Sequence, residues 1–289
     1  MGETRDLRRD AGGAQGYGTA SMIARTSVDV GGRHLALTAA GVGNPVVILE
    51  AGLEYGADTW VAIQPAVAAF TRVVSYDRAG IGASTPAPTP RSVGDMAGDL
   101  HALLENAHIS GPYVLVAHSL GGLIARIYTH RYPAEVAGLV LVASSHPDQW
   151  DRWADGVPAE TPGESAVLAQ MRQRPWNDPT HPLPEGLDLP TSREQLRVAT
   201  SLGSRPLTVL TPGRKAHPSL EYPPGLVAHM AHVDRDMQSG LTQLSSNSMQ
   251  IIASHSGHFI QSDEPELIVT AIREVINRVR DEHRKGDAP

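Results

Sequence analysis

The apolar and polar positions alternate over residues 26–30 and 34–39 on either side of Gly31-Gly32, the pattern of two strands joined by a two-residue turn. Beyond them the rhythm changes. Val46-Val47-Ile48-Leu49 is an unbroken apolar run closed by Gly52, followed by a helical pattern over 60–70 and a second apolar run over 72–76. The alternation continues with a helix over 93–106, a strand over 113–117, a helix over 120–131 and a strand over 136–142. Unbroken apolar strands are those buried on both faces, and their alternation with helices predicts a mostly parallel central sheet flanked by helices, an α/β fold. From 146 to 203 the pattern dissolves into Pro-rich, Trp-containing sequence with no buried strand, which reads as an inserted cap. The sheet pattern returns over 206–210 and 249–253, and an amphipathic helix over 265–280 closes the domain. The expected organisation is a tail over 1–24, a core over 25–145 and 204–282, a cap over 146–203 and a charged tail over 283–289.

Composition narrows the chemistry. The 289 residues carry a formal net charge of -7 and are 41% hydrophobic, enough for one sizeable core and the wrong sign for a nucleic-acid surface. There is no cysteine, so thiolate nucleophiles, thiolate metal sites and disulfides are excluded. Residues 1–19 are rich in Gly and Arg, without the apolar run of a secretory signal, and no stretch reaches the roughly 18 apolar residues of a membrane span. The expectation is a cytoplasmic protein acting on a small molecule, of unknown oligomeric state, with no membrane or nucleic-acid partner.

Two places carry candidate chemistry. Ala117-His118-Ser119-Leu120-Gly121-Gly122 lies between an expected strand and an expected helix, the context that gives meaning to a G-x-S-x-G nucleophile elbow. Small residues two before and two after the serine let the chain turn sharply, and the following helix directs its first N–H groups at a reacting oxyanion. Ser256-Gly257-His258 follows the last strand, where an imidazole could take the proton that makes a serine hydroxyl nucleophilic. Each feature alone has an ordinary structural reading; serine before histidine in chain order joins them.

With Leu49-Glu50-Ala51-Gly52-Leu53 and Ser75-Tyr76-Asp77-Arg78-Ala79-Gly80-Ile81-Gly82-Ala83-Ser84, these motifs resemble the α/β-hydrolase fold family over about residues 26–280. The resemblance implies a serine esterase or lactonase with Ser119 as nucleophile, His258 as base and the amides of Leu53 and Leu120 as the oxyanion hole. Ala51 stands where the family has histidine, and Asp77-Arg78 matches its structural turn. The family's third member, an acid, follows one of two strands, and Asp148 is the carboxylate nearest to either place. A Ser119–His258 dyad oriented by Ser144 or Ser145, or an acid from Asp234 and Asp236, are the other readings, although those aspartates suit an exposed helix face. Glu50 is either a pocket residue beside the oxyanion loop or a solvated or salt-bridged loop residue. Trp150, Trp153 and Trp176 either line an apolar substrate pocket or pack the cap.

No cofactor is expected: Gly41-Val42-Gly43 lacks the rest of a dinucleotide fingerprint, and His217, His229, His232 and Asp234 lack the spacing of a metal motif. The functional expectation is hydrolysis of an ester, lactone or thioester of a small apolar molecule. Non-hydrolytic acyl transfer or cyclisation at the same site, and a ligand-binding protein with vestigial catalysis, are the competing readings.

Overall fold

The computed structural model describes residues 24–178, 180, 182–214 and 222–286. Most of the expected tail over 1–24, His217 of the histidine group and residues 287–289 therefore lie outside the described residues. Eight strands form one sheet: β1 (Ala24–Asp29), β2 (His34–Ala40), β3 (Val46–Glu50), β4 (Val73–Tyr76), β5 (Tyr113–His118), β6 (Val136–Val142), β7 (Leu207–Pro212) and β8 (Ser248–Ala253). Their spatial order is β1-β2-β4-β3-β5-β6-β7-β8, antiparallel in the first two pairings and parallel from β4 onward. The hairpin turns at Gly31 and Gly32, both at positive φ, and Asp29 Oδ1 accepts both of their amides.

The helices are α1 (Gln64–Ala68), α2 (Val93–Asn106), α3 (Leu120–Arg131), α4 (Gln149–Ala154), α5 (Ala166–Gln173), α6 (Leu189–Leu196), α7 (Pro224–Leu241), α8 (Ile260–Asp263) and α9 (Pro265–Gly286). Every residue of β3, β4 and β5 is buried, as expected of strands covered on both faces. The two-residue period then divides the core. Ile48, Leu115, Leu139 and Leu141 pack with α2 and α3, whereas Val47, Leu49, Val114, Val116 and Val140 pack with α9 and Trp60 on the other face. Helix α2 starts at a reciprocal Ser92–Asp95 capping box.

Three elements differ from the pattern-based expectation. The helix expected over 60–70 is a 3-10 turn at Ala57–Trp60 followed by the short α1, because Pro65 has no amide to donate and must sit in a first turn. The last helix continues past Arg280 to Gly286, through charged residues that include an Arg284–Asp281 pair at 3.5 Å. The third is α7, an 18-residue helix of which the sequence reading gives only an exposed face carrying Asp234 and Asp236, with no bounds. Its Leu226 and Met230 form one apolar cluster with Ala154, Leu168, Met171, Trp176 and Leu189 of the intervening segment. The described residues of that segment, 146–203, carry α4, α5 and α6 and no strand of the sheet. No described helix is long and apolar enough to cross a membrane.

Candidate active site

Ser119 occupies the turn between β5 and α3 with φ 51 and ψ -118, a conformation that a residue with a Cβ rarely adopts. Packing imposes it. A Cβ at Gly121 would meet the Glu50 and Ala51 carbonyl oxygens at 2.7 and 2.8 Å, and one at Gly122 would lie 1.8 Å from Ser144 Oγ. Ala117 is fully buried. The loop after β3 closes over the turn: a Cβ at Gly52 would stand 2.8 Å from His118 Nδ1 and 3.3 Å from Ser119 Cβ. Leu53 and Leu120 thus flank the serine from two elements. Among the described residues neither amide donates a hydrogen bond, as expected of a helix's first amide at Leu120.

Ser119 and His258 line one cavity of about 340 Å³, together with Ser145, Gln149, Trp150, Trp153, Arg214, Asp234 and Gln238. They are not hydrogen-bonded to each other: Ser119 Oγ lies 3.4 Å from Ser145 Oγ.

His118, which the sequence reading passed over, ties the two together. It is fully buried, its Nε2–H donates to the His258 carbonyl at 3.0 Å, and the Gln261 amide donates to its Nδ1 at 3.4 Å. Its ring centroid is 4.7 Å from that of His258. Burial, and then the neighbouring His258, push the His118 imidazole down to about 3. The elbow pattern treats the position before the serine as variable, so no sequence signal marked it.

For this group the sign is definite. The unfolded chain takes up a proton below about 6.5 and the folded chain does so only near 3, so stability falls as pH drops between those values. Wild type is expected to lose about 3 kcal/mol from this group between about pH 7 and 4. In His118→Gln that slope should be absent from melting temperatures measured across the range, and an unchanged slope would contradict the assignment.

Asp148 is not brought to His258. Its side chain is 62% exposed and turned to His146, with Oδ2 3.8 Å from His146 Nδ1. It stands at the start of α4, and the helical turn carries it outward instead of folding the loop back over the sheet. Asp234 corrects the exposed-face expectation in the other direction. Among the described residues it is the only carboxylate lining the cavity, and it accepts from Trp153 Nε1 at 2.8 Å. Burial pushes its carboxyl up to about 6 against the opposing pull of the Trp153 N–H and Arg235. Asp236, two residues on and so on another side of the helix, is exposed and paired with Arg152 at 2.7 Å.

Glu50 is buried beneath the serine loop and does not line the cavity; it is ion-paired with Arg78 at 2.7 Å and accepts from the Tyr76 hydroxyl. Asp77 ties its turn as expected, accepting from the amides of Ala57 at 2.8 Å and Ala83 at 3.1 Å and from Arg25. Trp150 and Trp153 wall the cavity, whereas Trp176 is buried behind them and donates to Asp151 at 2.9 Å. A second, apolar space of about 290 Å³ is also lined by Trp150 and Trp153, with Met171, Trp176, Leu183, Tyr222 and Met230. His229 is bound to the Arg152 carbonyl at 2.7 Å. Among the described residues no three His, Asp or Glu side chains gather as metal ligands would.

Comparison with known proteins agrees with this architecture. A family model described as the alpha/beta hydrolase fold matches residues 44–179. An AB hydrolase superfamily protein of Gibberella zeae is 28% identical over 284 residues, covering 82% of this chain and 87% of that one. Among solved structures, a thermophilic esterase from Thermogutta terrifontis superposes with a TM-score of 0.55 at 24% identity, covering 89% of this chain and 99% of that one. A haloalkane dehalogenase from Agrobacterium tumefaciens gives 0.59 at 16% identity, with 89% and 97% covered. At these identities the structural likeness speaks for the fold alone.

Proposed function

We propose that this chain, whose residues 44–179 match the α/β-hydrolase fold family, is a serine hydrolase acting on a carboxylic ester, lactone or thioester of a small apolar molecule. Ser119 Oγ adds to the carbonyl carbon as His258 takes its proton, and the carbonyl oxygen becomes an oxyanion facing the Leu53 and Leu120 amides. The tetrahedral species expels the alcohol or thiol, which leaves with the proton from His258. Water then repeats the sequence on the acyl-Ser119 ester and releases the acid. The observation that carries this reading is the backbone of Ser119, held at φ 51 on a turn that opens into the cavity it shares with His258.

Asp234 shares the cavity with His258, and we assign to it the negative charge that favours the imidazolium formed when His258 accepts the proton. Its carboxyl titrates near 6, so only the ionised form above that pH helps. Asp234→Asn is expected to lower kcat/KM by about ten- to a hundredfold at pH near 8 and by much less near 5, where the wild-type carboxyl is already protonated. An equal loss at both would remove Asp234 from the mechanism.

The Trp150 and Trp153 rings in the cavity wall favour a substrate with a medium-length aliphatic or aryl group. Each buried methylene contributes about 0.8 kcal/mol, so wild type is expected to prefer 4-nitrophenyl hexanoate to acetate. Trp150→Ala should lower kcat/KM about tenfold for hexanoate and less than about threefold for acetate. Identical losses for both esters would argue that Trp150 only packs the cap.

The test of the reading itself is covalent. A fluorophosphonate should add its phosphonyl mass to the peptide that contains Ser119, with loss of fluoride, and extinguish ester hydrolysis. That Ser119 Oγ is near Ser145 and not bonded to His258 favours, as second reading, a ligand-binding protein without turnover. Saturable binding of 4-nitrophenyl esters with no labelling and no product would establish that alternative.

A further inference from the structure

Arg78 is buried beneath the serine loop, with a side chain 3% exposed, and every arm of its guanidinium is engaged. Nε and Nη2 donate to the two oxygens of Glu185 at 2.9 and 2.6 Å, and Nη1 donates to Glu50 at 2.7 Å. The remaining donors go to main-chain carbonyls of the loop after β3: Nη1 to Ala51 O at 2.8 Å, and Nη2 to Gly52 O at 2.5 Å and Tyr55 O at 3.4 Å. Gly52 O also accepts from the Tyr55 amide at 3.2 Å.

The Gly52–Leu53 peptide is trans and planar, so its N–H points away from its carbonyl. Two donors fixed on Gly52 O therefore fix the direction of the Leu53 N–H. A cation bound to the carbonyl also draws electron density from the amide and makes its N–H a stronger donor. We propose that Arg78 is a positioning residue for the oxyanion hole, orienting and polarising the Leu53 amide through the Gly52–Leu53 peptide, and that Glu185 links this element to the cap. The proposal rests on the serine-hydrolase reading for its catalytic consequence, though not for the placement of the peptide.

Glu185 makes the link from the cap segment. It sits at φ 60 with its side chain 2% exposed, and its Oε1 also accepts from the Glu54 amide at 2.5 Å. Glu50 and Glu185 outweigh the cost of burial and hold the Arg78 guanidinium above its ordinary value, so it stays charged at any working pH.

Arg78→Lys keeps the charge but cannot span both carboxylates and the carbonyls, because an ammonium is a point donor and not a planar fork. In selectively 15N-leucine-labelled protein, with the resonance assigned through Leu53→Met, the Leu53 amide peak is expected to move in Arg78→Lys. For 4-nitrophenyl butyrate kcat should fall by about tenfold to a hundredfold with KM within about threefold. Affinity for phenylboronic acid should fall in parallel, since its boron accepts the Ser119 oxygen and becomes a tetrahedral anion in the same hole. A folded Arg78→Lys with an unmoved Leu53 peak overturns the proposal, as does a moved peak with kcat and boronate affinity unchanged. If wild type neither hydrolyses the ester nor binds the boronate, the serine-hydrolase reading and the catalytic role fail together, and the Leu53 peak alone decides whether Arg78 orients that peptide. Should Arg78→Lys not fold, Glu185→Gln carries the same measurements, with a smaller peak displacement and a severalfold loss of kcat expected. No change in either would be equally fatal.

Discussion

Ser119→Ala is expected to reduce kcat/KM for 4-nitrophenyl esters by about four orders of magnitude or more, and adding His258→Ala should cost almost nothing further, because nucleophile and base act as one unit. Loss of activity alone would not separate a nucleophile from a structural serine, but stability does. At φ 51 and ψ -118 the backbone strain belongs to the Cβ and not to the hydroxyl. Alanine therefore retains the strain, which costs about 1–3 kcal/mol. Glycine, which adopts the mirror image of an extended conformation freely, releases it at an entropic cost of about 0.5–1 kcal/mol. Ser119→Gly should be inactive and more stable than Ser119→Ala by about 1 kcal/mol in denaturant titration. A serine kept for structure would show the reverse: stability lost in both variants and hydrolysis retained.

The second large effect is expected at Gly121. Its added methyl would meet main-chain oxygens of Glu50 and Ala51 at 2.7 and 2.8 Å, and backbone in a buried strand end cannot rotate aside. Gly121→Ala should lose about 1–3 kcal/mol of stability, the usual cost of overpacking. It should also lose about a hundredfold in kcat, because relieving the clash moves α3 and β3 apart and spreads the Leu120 and Leu53 amides. Gly98 is the control: nothing lies within 4 Å of a Cβ there, and alanine in mid-helix α2 should stabilise modestly with full activity. Equal behaviour at the two glycines would mean that the turn tolerates a wider approach of helix to strand.

Both expectations draw on features legible in the chain. Buried strands announce themselves as unbroken apolar runs, which is why β3, β5 and β6, with α2 and α3, could be read within a residue or so. The turn at Ser119 is local too: small residues at fixed offsets between a strand and a helix describe one backbone conformation, needing no distant partner. Asp77 was legible for the same reason, since its amide partners lie in its own turn and a nearby loop.

What the sequence could not determine was which distant side chains meet. Asp148 is nearest in sequence to an expected acid position, yet one turn of α4 directs it to His146. Asp234 is 115 positions from Ser119 on a helix the pattern did not single out, and only the packing of α7 against the cap turns it to the cavity. Glu50 and Glu185 are far apart in the chain, and Arg78 joins them only in the folded structure. Periodicity and turn chemistry depend on neighbours in the chain, so sequence alone determined the sheet, its order of elements and the serine turn. The carboxylate in the cavity, the cavity walls and the ion pairs beneath the loop after β3 depend on contacts across more than twenty residues of chain or on the side to which a helix is rotated, and those only the tertiary structure decided.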